Sequence, residues 1–288
     1  MSCSADVLKQ LSVQWGLPGD HFEEIQRIAE AEMGNFPENV KTLMEDVVEL
    51  YQSGGSAFEP CQVGYHTIRH ALEVTLATCR MLAGWNRTPS AQPKIAAELF
   101  PAAVAAALFH DAGYLKNRND TAGKGGKYTF AHVQRGMAMA QEYLQRRQWP
   151  EKLQHLTVAL IEATEFHQPL QLTGMLASAP EKNLASMLVT ADILVQISDP
   201  CYFDRLPELF AEFEEGYAFE GEANLKNRGI RIYQSAQELV NDSQKFFRQV
   251  VLPRLEELGR MDLLLDRYFG DTDHPYRAGV WQNFAYRL

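Results

Sequence analysis

The chain has 288 residues, a mass of 32.6 kDa and a formal net charge of -10, with 46% hydrophobic and 22% charged residues. This composition excludes a disordered or fibrous protein and is enough to bury a large core within one main domain. No run of Lys and Arg is dense enough to track a phosphate backbone, which argues against polymeric nucleic acid as a partner. The longest apolar stretch, Leu99 to Phe109, falls well short of the ~20 residues that cross a bilayer, so no membrane partner is expected.

The N-terminus MSCSADVLKQ lacks the basic-then-apolar pattern of a secretory leader, and Cys3, Cys61, Cys79 and Cys201 show no Cys-x-x-Cys spacing. A cytoplasmic protein with reduced thiols is the expectation. Helix signals then recur while alternating strand patterns are nearly missing, which predicts an all-α bundle. Asp20 and Glu23 form a capping box before FEEIQRIAEAEM, with Gly34 as the stop. Pro37 suits the first turn of the next helix, which ends at Gly54-Gly55. These helices, residues 1–55, are expected to cover a main domain at 56–288. Further helices are predicted at 67–83, 94–115, 130–147, 150–166, 181–198, 205–217, 223–241 and 242–260, with a shorter one near 261–269. The Gly-rich segment 116–130 carries Lys116, Arg118, Lys124 and Lys127, which suggests a basic lid over an anionic substrate. The segment from His167 to Asn183 is expected to be a plain loop.

Chemistry concentrates on a few positions. His66 and His70 are four residues apart, about 40° on one helix face, so both can reach one pocket. An apolar helix ends abruptly in His110-Asp111, and Asp192 stands alone in the apolar run ASMLVTADILVQIS. Buried carboxylates need a cation or hydrogen-bond donors, and a metal provides the cation. Mixed nitrogen and oxygen ligands suit Mn, Fe, Zn or Mg. His132 and His167 are placed for a second ion, with Asp111 as the bridging carboxylate; two ions can activate a hydroxide and clamp a phosphoryl group. His21, His155 and His274 lack such context and read as structural or surface residues.

These segments resemble the HD superfamily of metal-dependent phosphohydrolases, and more narrowly the catalytic domain of class I cyclic-nucleotide phosphodiesterases. Tyr65-His66 through His70-Ala71 and Glu73-Val74 is similar to that family's histidine helix, Phe109-His110-Asp111 to its His-Asp motif, and Ala191-Asp192-Ile193 to its Ala-Asp-Ile segment. Glu162-Ala163-Thr164-Glu165 resembles its Leu-Ala-Thr-Asp, and residues 243–258 resemble its purine-binding helix. The resemblance implies that His66 is the general acid, that His70, His110, Asp111 and Asp192 hold the tighter ion, and that Gln244 and Phe247 contact a purine. Departures are Tyr114 for a second histidine of the family, Thr67 for its asparagine, and a shorter interval between Asp111 and Asp192. Tyr114, Lys116 and Lys127 are further substrate-binding candidates.

The expected activity is hydrolysis of a phosphate ester by a metal-activated hydroxide, with a small phosphorylated substrate such as a nucleotide phosphodiester and one or two divalent ions. Alternatives are a nucleotide phosphomonoesterase, an HD-type di-iron oxygenase using His70, His110, Asp111, His132, His167 and Asp192, and a silent scaffold. Monomer and homodimer both fit an acidic chain of pI near 5.3.

Overall fold

Proline, glycine and serine punctuate the chain where its helices begin and end. The structure is a computed structural model that describes residues 18–166 and 176–288. Among these residues the fold is all-α, and the extended pairing found is an isolated antiparallel bridge between Phe58 and Asn117.

Helix α1 spans Pro18–Met33 and α2 spans Glu38–Ser53. Proline is tolerated at a helix start because the first N–H groups lack intrahelical partners. Helix α1 therefore begins ahead of the expected cap at Asp20, which lies in the first turn, where a carboxylate favours the helix dipole. Pro37 immediately precedes α2, and Gly54 closes it in the left-handed conformation, its N–H on the Leu50 carbonyl. Ile25, Ile28, Val40, Leu43, Met44 and Val47 are buried in the same apolar cluster as the central helices. Both helices thus wall the core itself.

The centre is α3 (Ile68–Arg87), α4 (Phe100–Phe109) and α7 (Ala179–Ser198), flanked by α5 (His132–Arg146) and α6 (Glu151–Glu162). Every residue of α4 is buried, as a helix apolar on all sides requires, and α2, α3, α5, α6 and α7 pack around it. Its small alanines let these neighbours approach closely. The expected 94–115 helix is therefore shorter, with single 3₁₀ turns at Ala97–Leu99 and Ala112–Tyr114 on either side. Helix α7 starts at a capping box, Ser178 with Glu181, inside a segment expected to be loop.

Beyond α8 (Tyr202–Glu220) and the short α9 (Glu222–Asn227), the helices divide differently from the expectation. The break falls at 228–235 rather than at 241–242. Gly229, at φ 76°, ends α9, and Ser235 starts α10 (Ala236–Phe246) by accepting the Glu238 N–H at 3.1 Å. A π-helical turn, Phe247–Val251, then continues into α11 (Leu252–Glu257). Two more helices follow, α12 (Leu264–Phe269) and the unforeseen α13 (Pro275–Phe284). Helix α13 lies against α7 so closely that a Cβ on Gly279 would sit 1.9 Å from the Ser198 carbonyl oxygen.

No single helix among the described residues is long and apolar enough to cross a membrane. Among the described residues Cys61 and Cys79 are free thiols; Cys3 lies outside the described residues.

Candidate metal centre

Three central helices deliver the candidate ligands. His70 comes from the first turn of α3, His110 and Asp111 from the end of α4, and Asp192 from the middle of α7. His70, His110 and Asp192 each bring a donor atom within 4.8 Å of the others, a buried group able to hold a metal ion. His70 Nε2 lies 3.1 Å from Asp192 Oδ1 and 3.4 Å from Asp111 Oδ2. His110 Nε2 lies 3.1 Å from Asp111 Oδ2. The side of Asp111 facing away from these two rings, Oδ1, is 3.5 Å from His132 Nε2 at the start of α5.

The donor set fits a cation. His110 Nδ1–H donates to the Ala107 carbonyl at 2.8 Å and His132 Nδ1–H to the Thr129 carbonyl at 2.7 Å, which leaves each Nε2 lone pair facing Asp111. His110 Nε2 and Asp111 Oδ2 are buried without a hydrogen-bond partner, a costly arrangement that coordination would relieve. Burial opposes charge on His70 and His132 and lowers both pKa values, favouring the neutral form that ligates. Burial also opposes charge on His110, yet Asp111 and Asp192 outweigh it and raise its pKa well above the ordinary imidazole value. Both carboxylates titrate low: burial raises them, and the imidazoles more than offset it. A divalent ion would meet the same demand for positive charge while leaving the histidines deprotonated.

His66 stands beside this group, just before α3, on a different partner. Its Nδ1 meets Glu212 Oε2 of α8 at 2.5 Å, and the other Glu212 oxygen accepts the backbone N–H groups of Tyr65 at 2.6 Å and His66 at 3.2 Å. The ring stacks on Tyr114 at 4.5 Å, and Tyr114 stacks on His132 at 4.7 Å. Glu212 was not anticipated. Helix α8 carries several glutamates, and nothing local marks the one that is buried and turned inward. The turn after Asp111 also requires a glycine, because a Cβ on Gly113 would lie 1.9 Å from the His132 carbonyl oxygen.

A cavity of about 500 Å³ opens from this centre, touching His66, Asp111, Tyr114, His132 and Asp192 at one end. Aromatic and aliphatic side chains, including Phe130, Ile193, Phe213, Phe246 and Val250, form most of the remainder.

Other expected substrate contacts lie elsewhere. Lys116 donates to the Gly123 carbonyl at 2.7 Å, and Lys127 to Asp120 at 2.5 Å and the Ala122 carbonyl at 2.8 Å. Both lysines are buried within their own loop because its carbonyls have no helical partners. The loop is also pinned by Glu215, whose carboxylate accepts the N–H groups of Lys124, Gly125 and Gly126. It is an anchored segment rather than a basic lid. Gln244 is exposed and donates to the Asn283 carbonyl at 3.2 Å, while Phe247 is buried against Phe284 at 4.3 Å, so neither faces the cavity. The inward face of this helix instead presents Ser243, Phe246, Gln249 and Val250. His167 lies outside the described residues.

The family model described as Npun_R2479-like matches residues 34–263 of the chain. No curated protein matches it.

Proposed function

The chain belongs to the Npun_R2479-like family, and from the geometry of its site we propose that it is a metal-dependent phosphohydrolase of the HD type acting on a small phosphate ester. The observation that carries this reading is His66, which stands beside a metal-ligand group yet is held by Glu212 instead. A divalent ion, when bound, supplies acidity to water and neutralises charge on phosphoryl oxygens. Phosphate-ester cleavage also needs a proton at the leaving oxygen.

His66 suits that task. Its Nδ1–H is directed to Glu212, and the ring borders the cavity. Burial disfavours the imidazolium, but Glu212 and then Asp111 outweigh burial and raise the pKa. The ring is thereby kept as a proton donor near neutral pH. His70, His110 and Asp192 would hold one ion of Mn, Fe, Zn or Mg. Asp111, with Oδ2 toward His70 and His110 and Oδ1 toward His132, would serve a second ion together with His132.

The test is metal analysis together with hydrolysis of bis-p-nitrophenyl phosphate, cyclic nucleotides and nucleoside monophosphates. His66→Ala is expected to keep its metal and lose about 10²-fold or more in kcat. Asp111→Ala should lose both metal and turnover. Protein that takes up no metal and is not activated by added Mn would refute the proposal. A second reading, an oxygenase with two irons acting on a small organic substrate, is favoured by one observation: the cavity is mostly apolar and Lys116 and Lys127 lie outside it. Dioxygen consumption by iron-loaded protein distinguishes the two.

A further inference from the structure

The cavity beyond the metal centre has little unpaired positive charge and largely aromatic and aliphatic walls. Four carboxylates border it, Asp111, Asp192, Glu165 and Asp242, against two cations, Arg231 and Lys245. Arg231 is already engaged, 2.5 Å from Asp242 and 3.5 Å from Glu238. Among the described residues, then, little positive charge remains beyond the metal end for a second or third phosphate.

The walls are aromatic. Phe130 stacks on Tyr217 at 6.1 Å, Phe213 lies 6.1 Å from Tyr217, and Phe166 lies 5.9 Å from Phe246. Phe166 and Val250 border the cavity although they are 39% and 38% exposed. Exposed apolar surface rimming a pocket gains from being covered, and ring faces and edges favour an aromatic guest. A volume of about 500 Å³ accepts a fused-ring body with room to spare.

We infer that the substrate is an ester with a single phosphoryl group on a bulky aromatic body, the phosphoryl at the metal end and the rings between Phe213, Tyr217, Phe246 and Val250. This rests on the phosphohydrolase reading for the position of the phosphoryl group, but not for the apolar subsite.

The experiment is calorimetric titration of metal-loaded protein with naphthylmethylphosphonate, methylphosphonate and adenosine monophosphate. The naphthyl compound is expected to bind about tenfold or more tighter than methylphosphonate, the scale of burying an aromatic group, and tighter than the nucleotide. Phe246→Ala and Val250→Asp should each remove most of that advantage and leave methylphosphonate binding unchanged. Equal affinity for the two phosphonates, or stronger binding of the nucleotide, overturns the inference. If neither phosphonate binds, naphthol is titrated instead. Naphthol binding abolished by Val250→Asp upholds the aromatic subsite while the phosphate reading falls, and no naphthol binding overturns the subsite as well.

Discussion

Phe247 and Phe246 are neighbours in sequence with opposite tasks. Phe247 is buried and stacked flat on Phe284, 4.3 Å between ring centroids, whereas Phe246 borders the cavity. Phe247→Ala should therefore destabilise the fold by about 3–5 kcal/mol, as large-to-small core substitutions do. Exposed Gln244→Ala should leave both stability and substrate affinity nearly unchanged. Denaturant titration and ligand binding check both outcomes, and a loss of ligand affinity in Gln244→Ala at unchanged stability would return these positions to the site. The resemblance had placed Gln244 and Phe247 at the substrate, because a likeness in helix pattern carries residue types but not helix rotation. His110 and Asp192, which join His70 in the group able to hold an ion, were legible for the opposite reason. Each is a polar residue where apolar periodicity demands core, and such a residue needs a partner of comparable strength, while His70 was marked by its four-residue spacing from His66.

At the scale of elements, Ser235 is the clearest missed signal. Ser235 and Glu238 stand at capping spacing, and the serine starts α10. Ser235→Ala should cost about 1 kcal/mol, measurable by chemical denaturation, without affecting metal content. A second element-level contact joins three helices. Glu24 of α1 receives Arg27 at 2.7 and 2.8 Å and the Tyr268 hydroxyl of α12, with Arg80 of α3 at 3.7 Å. The hydrogen bond from Arg27 is the largest influence and burial opposes it; together with Tyr268 and Arg80 it takes the carboxyl from its ordinary 4.5 to about 2. A depressed carboxyl stabilises the fold at pH above the unfolded value, and that contribution is lost as pH falls from 4.5 toward about 2. The Tm difference between the parent protein and Glu24→Gln should thus be full at neutral pH and vanish in strong acid. A difference that persists unchanged at the acid end would show that shape rather than charge makes the contact.

For the molecule as a whole, the candidate ligands His70, His110 and Asp192 come from α3, the end of α4 and α7, so a bound ion would tie together helices far apart in the chain. Metal at ~100 times its Kd should raise unfolding stability by about 2.7 kcal/mol, and chelation should reverse the gain. Asp192→Ala should abolish this dependence, which thermal melts with and without chelator would read directly. An unchanged metal response in that variant would remove Asp192 from the ligand set.

The amino-acid sequence by itself determined the all-α class, most helix positions and the metal-ligand candidates, because helix periodicity, proline and glycine stops and misplaced carboxylates are local properties of the chain. Only the tertiary structure decided which groups meet. Glu212 reaches His66 across 146 positions of sequence, Lys116 and Lys127 are consumed by carbonyls of their own loop, and the cavity wall is set by the rotation of α10. These outcomes depend on how helices pack and which backbone groups lack partners, and no short stretch of sequence contains that information.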